Sequence, residues 1–183
     1  MTAHSGPRVV PPGTFIVVSG PPASGKTTLA RAIAPALGLP LIAKDTIKQA
    51  LMSVLPVPGI EASRMLGRAS VTALLAVASE SGGAVLESVW HRSRAAEDLR
   101  RLPGNLVEVF CRCDARTAAQ RYARRAGTRH AGHFDGDRTL ADLWNDEVAR
   151  PVAGGWPVID VSTECPVDVT SLAARIQAAA AAS

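Results

Sequence analysis

Apolar residues along this chain fall into two kinds of run. Short continuous runs, rich in β-branched residues and bounded by Gly or Pro, occur at 14–19 (Thr-Phe-Ile-Val-Val-Ser), 39–43, 84–88, 106–111 and 157–161. Each is the length of a strand and apolar on both alternating faces, which predicts five buried strands. Between them lie longer stretches with apolar positions three or four apart, which predict helices at 25–37, 45–55, 61–81, 93–102, 114–125, 139–149 and 168–182. The punctuation agrees. Gly38 stands where the first helix should stop, Pro56 and Pro58 close the second, Gly82-Gly83 and Pro103-Gly104 mark turns, and Asp114 is placed to cap a helix. Residues 127–136, rich in Arg, His and Gly, read as a loop. Strands alternating with helices predict an α/β fold: a five-stranded parallel sheet with helices on both faces. Ligands of such sheets bind beyond the carboxyl ends of the strands. Gly20, Asp45, Glu87-Ser88, Arg112 to Asp114 and Ser162-Thr163 leave the strands there.

Composition narrows the picture. The 183 residues suffice for one domain, expected over 14–183 behind a loose Pro/Gly-rich arm at 1–13. With 47% hydrophobic and 20% charged residues the chain is an ordinary globular protein, and with 4% aromatics its core must be built from aliphatic side chains. A net charge of +4 suits an anionic ligand such as a nucleotide without demanding DNA or RNA. No apolar stretch of about 18 residues predicts a membrane span, and the N-terminus lacks a charged segment followed by an apolar one, so a cytoplasmic location is expected. Three cysteines, Cys111, Cys113 and Cys165, do not make a disulfide framework. Cys111 and Cys113, two apart in a strand, would share a face, and no zinc-ligand spacing accompanies them.

The strongest chemical signal is Gly20-Pro21-Pro22-Ala23-Ser24-Gly25-Lys26-Thr27, which fits G-x-x-x-x-G-K-[ST], with Thr28 following. It lies after a predicted strand and opens a predicted helix, the context in which the pattern has meaning. Glycines let the backbone curl around an oxygen-rich group, and exposed amides at a helix N-terminus favour anions. Lys26 would reach the β- and γ-phosphates of ATP, and the Thr27 hydroxyl would ligate Mg²⁺.

With that loop, the chain resembles the P-loop kinases, and is nearest in layout to the small kinases grouped with gluconate kinase and the phage-type polynucleotide 5′-kinases. The resemblance spans Phe15 to about Ile176 and implies a three-layer P-loop NTPase fold with an arginine-rich lid at about 121–137. It implies that Asp45 addresses the acceptor hydroxyl and that Lys48, three residues on, faces the acceptor or transferred phosphate. Relatives usually carry Arg at that second position, and Asp45 also reads as a helix cap. Where relatives end the third strand in Asp, this chain has Glu87, one methylene longer and placed for acceptor or metal. Arg92 is a candidate acceptor contact. In the lid, the resemblance puts Arg121 near the adenine or phosphates and Arg124 or Arg125 near the transferred phosphoryl, with Arg125 the catalytic choice. Gly132-His133-Phe134 resembles a gluconate kinase tripeptide that follows the lid. The 163–167 loop would pack on the adenine.

The expected activity is therefore phosphoryl transfer from ATP, with Mg²⁺, to a hydroxyl of a small molecule. Rivals are a polynucleotide 5′-hydroxyl kinase, against which the single aromatic between 44 and 102, Trp90, argues, and a nucleotide-binding module without turnover.

Overall fold

The computed structural model describes residues 10–126 and 143–182. β1 (Thr14–Ser19) leads into α1 (Lys26–Leu37), followed by β2 (Leu41–Ala43), α2 (Lys44–Met52), α3 (Ile60–Glu80), β3 (Ala84–Glu87), α4 (Arg92–Arg100), β4 (Asn105–Arg112), α5 (Ala115–Ala126), β5 (Val158–Ser162) and α6 (Val169–Ala181). The strands form one parallel sheet in the order β2-β3-β1-β4-β5. β1 is central, and the chain leaves it first toward one edge and later toward the other. The crevice for a ligand therefore opens at its carboxyl end.

Every residue of β1 is buried, because both faces of the sheet are covered. Ile16 and Val18 pack beneath α1 and α6 with Leu29, Ile33, Leu172 and Ile176. Phe15 and Val17 face the other way, toward Leu74 of α3 and Leu99 of α4. The two clusters explain why the strand runs are continuously apolar rather than alternating. Gly38 ends α1 in the left-handed conformation, φ 67°, with its N–H on helix carbonyls. Asp168 caps α6, accepting from the Ser171 N–H at 3.1 Å, and Asp114 accepts from the N–H groups of Arg116 and Thr117 at the start of α5.

Four expectations need correction. β2 begins at Leu41 instead of residue 39: Pro40 has no N–H to give, although its carbonyl accepts from Val85. Asp45 does not cap α2; Ala43 holds the cap position and Asp45 sits in the first turn. Cys113 lies past the end of β4, so it does not share a strand face with Cys111. The helix expected at 139–149 falls partly outside the described residues, and from Trp144 to Arg150 the chain makes turns instead. Asn145 causes this: its side-chain oxygen accepts from the Glu147 N–H and its carbonyl from Val148 and Ala149. Pro151 then bars continuation. Residues 1–9, the lid beyond 126, the 127–136 loop and the Gly132-His133-Phe134 tripeptide lie outside the described residues. Among the described residues no helix is long and apolar enough to cross a membrane.

Candidate active site

β1 leaves the sheet at Ser19 and the chain curls through the glycine loop into α1. Gly20, Ala23 and Gly25 all have positive φ, at 132°, 60° and 88°. Only glycine fits at the first: a Cβ on Gly20 would stand 2.6 Å from the Cys111 carbonyl oxygen. Ala23 takes a left-handed conformation that costs an L-residue about 1–2 kcal/mol, and it is held there by packing with Tyr122 and Leu143. Alternating hands in successive residues turn amides toward one concave side, and the first amides of α1 add to them. The result is a cradle for an anion.

Lys26 is 5% exposed and reaches back across the turn, donating to the Pro21 carbonyl at 2.6 Å. Burial pushes its ammonium down to about 8, opposed chiefly by the Glu87 carboxylate. Holding that charge among buried neighbours costs about 3 kcal/mol, at about 1.4 kcal/mol for each tenfold loss of proton affinity. Phosphate oxygens would return this cost. Beside it, burial raises the proton affinity of Glu87, while Lys26 and a hydrogen bond with Thr27 lower it.

A cavity of about 410 Å³ opens over the cradle. It brings together Lys26, Thr27 and Thr28 with Asp45 and Glu87 on one side and Arg121 and Arg125 on the other. Arg121 donates to the Thr163 carbonyl at 2.9 Å, and the Arg125 guanidinium lies 5.2 Å from the centre of the Tyr122 ring. Four residues apart on α5, both share the face turned to the cavity. Cys165, Pro166 and Val167, from the loop that the resemblance assigns to the adenine, also line the cavity.

Other expected site residues stand elsewhere. Arg124 is exposed and does not line the cavity. Arg92 is half-buried at the start of α4, its backbone N–H donating to the Glu147 carbonyl. Lys48 is 2% exposed and donates to Ser63 of α3 at 2.7 Å.

Two ties escaped the sequence, although Thr163 itself was placed at the carboxyl end of a strand. Thr163 donates its hydroxyl to the Ser24 carbonyl at 2.6 Å, tying the glycine loop to the end of β5, and a Cβ on Gly25 would press on it at 3.3 Å. Glu108, fully buried in β4, accepts from the Ser19 hydroxyl, the N–H groups of Val152 and Ala153, and the Trp156 indole. It joins the residue before the glycine loop to the segment leading into β5. A charge inside the apolar run Leu106-Val-Glu-Val-Phe was the available signal. Cys113, Asp114 and Glu164 also gather their ligating atoms within 4.8 Å, but Asp114 caps α5 and Glu164 accepts from the Asp114 N–H.

Comparison with known proteins agrees with this fold. A family model described as AAA domain matches residues 15–151. A structure from Chloroflexus aurantiacus, provisionally described as a kinase, is 26% identical, with a TM-score of 0.80, covering 91% of this chain and 97% of that one. A gluconokinase from Sinorhizobium meliloti is 23% identical, TM-score 0.54, covering 93% of each chain. The Mycobacterium tuberculosis APS kinase, solved with AMPPNP and APS, is 18% identical, TM-score 0.59, covering 91% of this chain and 96% of that one. A search of curated proteins gives no match.

Proposed function

The chain belongs to the AAA domain family, within the P-loop small-molecule kinases, and we propose that it moves the γ-phosphoryl group of ATP to a hydroxyl of a small molecule such as a sugar, aminosugar or antibiotic. One observation carries this reading. A phosphate cradle, two carboxylates and two arginines face a single cavity. A passive nucleotide binder needs the cradle but not the carboxylates.

In this reading the loop amides and Lys26 hold the β- and γ-phosphates. The acceptor oxygen attacks the γ-phosphorus while the bond to the bridging oxygen of ADP breaks, and the acceptor proton passes to Asp45 or, through it, to water. Asp45 orients the attacking hydroxyl. Arg125 neutralises charge on the transferred group, and Arg121 holds the nucleotide side. Thr27 would hold Mg²⁺. The donor set fits, because the Thr27 hydroxyl and the Glu87 carboxylate are adjacent hard oxygen ligands. When bound, the ion supplies charge neutralisation on the phosphates.

Lys48 favours a small acceptor over an oligonucleotide. The side chain that would meet a phosphate next to the acceptor hydroxyl is committed to Ser63 in the packing of α2 on α3. The test is consumption of Mg·ATP against a panel of sugars, aminosugars, antibiotics, nucleosides and a 5′-hydroxyl oligonucleotide. ADP should form with one small-molecule class and not with the Lys26→Ala variant. Tight ATP binding without consumption by any acceptor, or phosphorylation of the oligonucleotide alone, would overturn the reading.

A further inference from the structure

Lys44 opens α2, directly before Asp45, and no motif position calls for it. Neighbours in a helix point about 100° apart and do not normally face each other. Yet the Lys44 ammonium stands 3.0 Å from Asp45 Oδ1. Two features hold it there. α3 passes alongside, and a Cβ on Gly67 would lie 3.9 Å from Lys44 Nζ and 4.0 Å from its last methylene. A methyl group there would only touch the lysine, whereas a larger side chain would enter the lane that it occupies. The second feature is electrostatic: the Asp45 carboxylate attracts the ammonium.

Glu87 shares the cavity with Asp45, and two carboxylates there repel each other. Among the described residues, the charged groups that share the cavity with Asp45 are Lys26 on α1, Glu87 on β3 and Arg121 and Arg125 on α5, and Lys44 is paired with it. Lys26 donates to the Pro21 carbonyl and Lys48 to Ser63. The Lys44 ammonium, 3.0 Å from the Asp45 carboxylate, is placed to steady it. We propose that Lys44 is a positioning residue: lodged against Gly67, its ammonium holds the Asp45 carboxylate ionised and aimed at the acceptor hydroxyl. This rests on the kinase reading above.

The test uses three variants of the full chain: Lys44→Met, Lys44→Arg, and Gly67→Leu, which fills the lane without touching the charge. The first readout needs no acceptor. In protein with ¹³C-labelled carboxyls, the Asp45 resonance, assigned by its loss in Asp45→Asn, is titrated with pH. It should titrate at higher pH in Lys44→Met and in Gly67→Leu and return toward the wild-type position in Lys44→Arg. The second readout is turnover with the acceptor found in the panel. In Lys44→Met, kcat should fall roughly 10-fold, with KM for ATP unchanged and most of the loss recovered in Lys44→Arg. An unmoved Asp45 titration in Lys44→Met, with the other resonances in place, would overturn the proposal, as would unchanged kcat. A shifted titration in a chain that turns over no acceptor would uphold the Lys44–Asp45 link and place the failure in the kinase reading.

Discussion

Lys26 makes nucleotide binding depend on pH in a way the structure sets. Burial holds its ammonium at about 8 in the free protein. A bound triphosphate surrounds the same nitrogen with negative oxygens and keeps it charged. The sign follows directly. Free protein gives up the proton as pH rises through about 8, the complex does not, and binding must then take a proton up. In the free protein the charged fraction falls from about nine-tenths at pH 7 to about one-tenth at pH 9. The apparent Kd for ATP should therefore rise about tenfold over that interval, or about 1.4 kcal/mol. Cys111, pushed up to about 12 by burial, stays protonated throughout and adds nothing. The assay is isothermal titration calorimetry with Mg·AMPPNP at several pH values, each in two buffers of different ionisation enthalpy. At pH 9 the buffers should differ by the heat of nearly one proton taken up, and at pH 7 by little. The residual binding of Lys26→Met should show no slope across this window. Full affinity with a flat Kd and no proton uptake at pH 9 would refute the reasoning, because Lys26 would then not meet the phosphates.

Three further outcomes test other parts of the account. Asp45→Asn should lose roughly 10²-fold or more in turnover while binding AMPPNP normally; unchanged turnover would transfer the acceptor role to Glu87. Glu108→Ala strands two buried donors, the Ser19 hydroxyl and the Val152 N–H, and frees two part-buried ones, and should lower unfolding stability by about 3 kcal/mol, read as a lower urea midpoint; a loss below about 1 kcal/mol would show that the tie is dispensable. Gly20→Ala places a Cβ on the Cys111 carbonyl and should abolish AMPPNP binding; retained binding would mean that the loop can open without loss.

What the sequence made legible was local. The glycine loop, α1 and its Gly38 stop are written in consecutive residues, and they stand where the pattern put them. Arg121 and Arg125 stand four residues apart, a spacing that puts them on one face of a helix. What depends on distant partners was not legible. Nothing near Thr163 marks it as the clasp on Ser24, 139 residues earlier. Lys48 looks like a ligand-facing cation in its own segment, and only the arrival of Ser63 on α3 explains its burial. Trp144 to Arg150 carries a helical pattern, but the Asn145 side chain competes for the backbone amides and the turn wins. Glu108 was visible as an anomaly in a strand, but its four donors come from two distant stretches of chain, Ser19 and 152–156.

The most direct measurement is a titration of ¹⁵N-labelled protein with Mg·AMPPNP, followed by amide chemical shift. The account predicts that the largest changes fall on Gly20, Ala23 to Thr28 and the Thr163 to Val167 loop, with the β4 core still. Binding that leaves the 20–28 amides unmoved, or no binding at millimolar nucleotide, would contradict it.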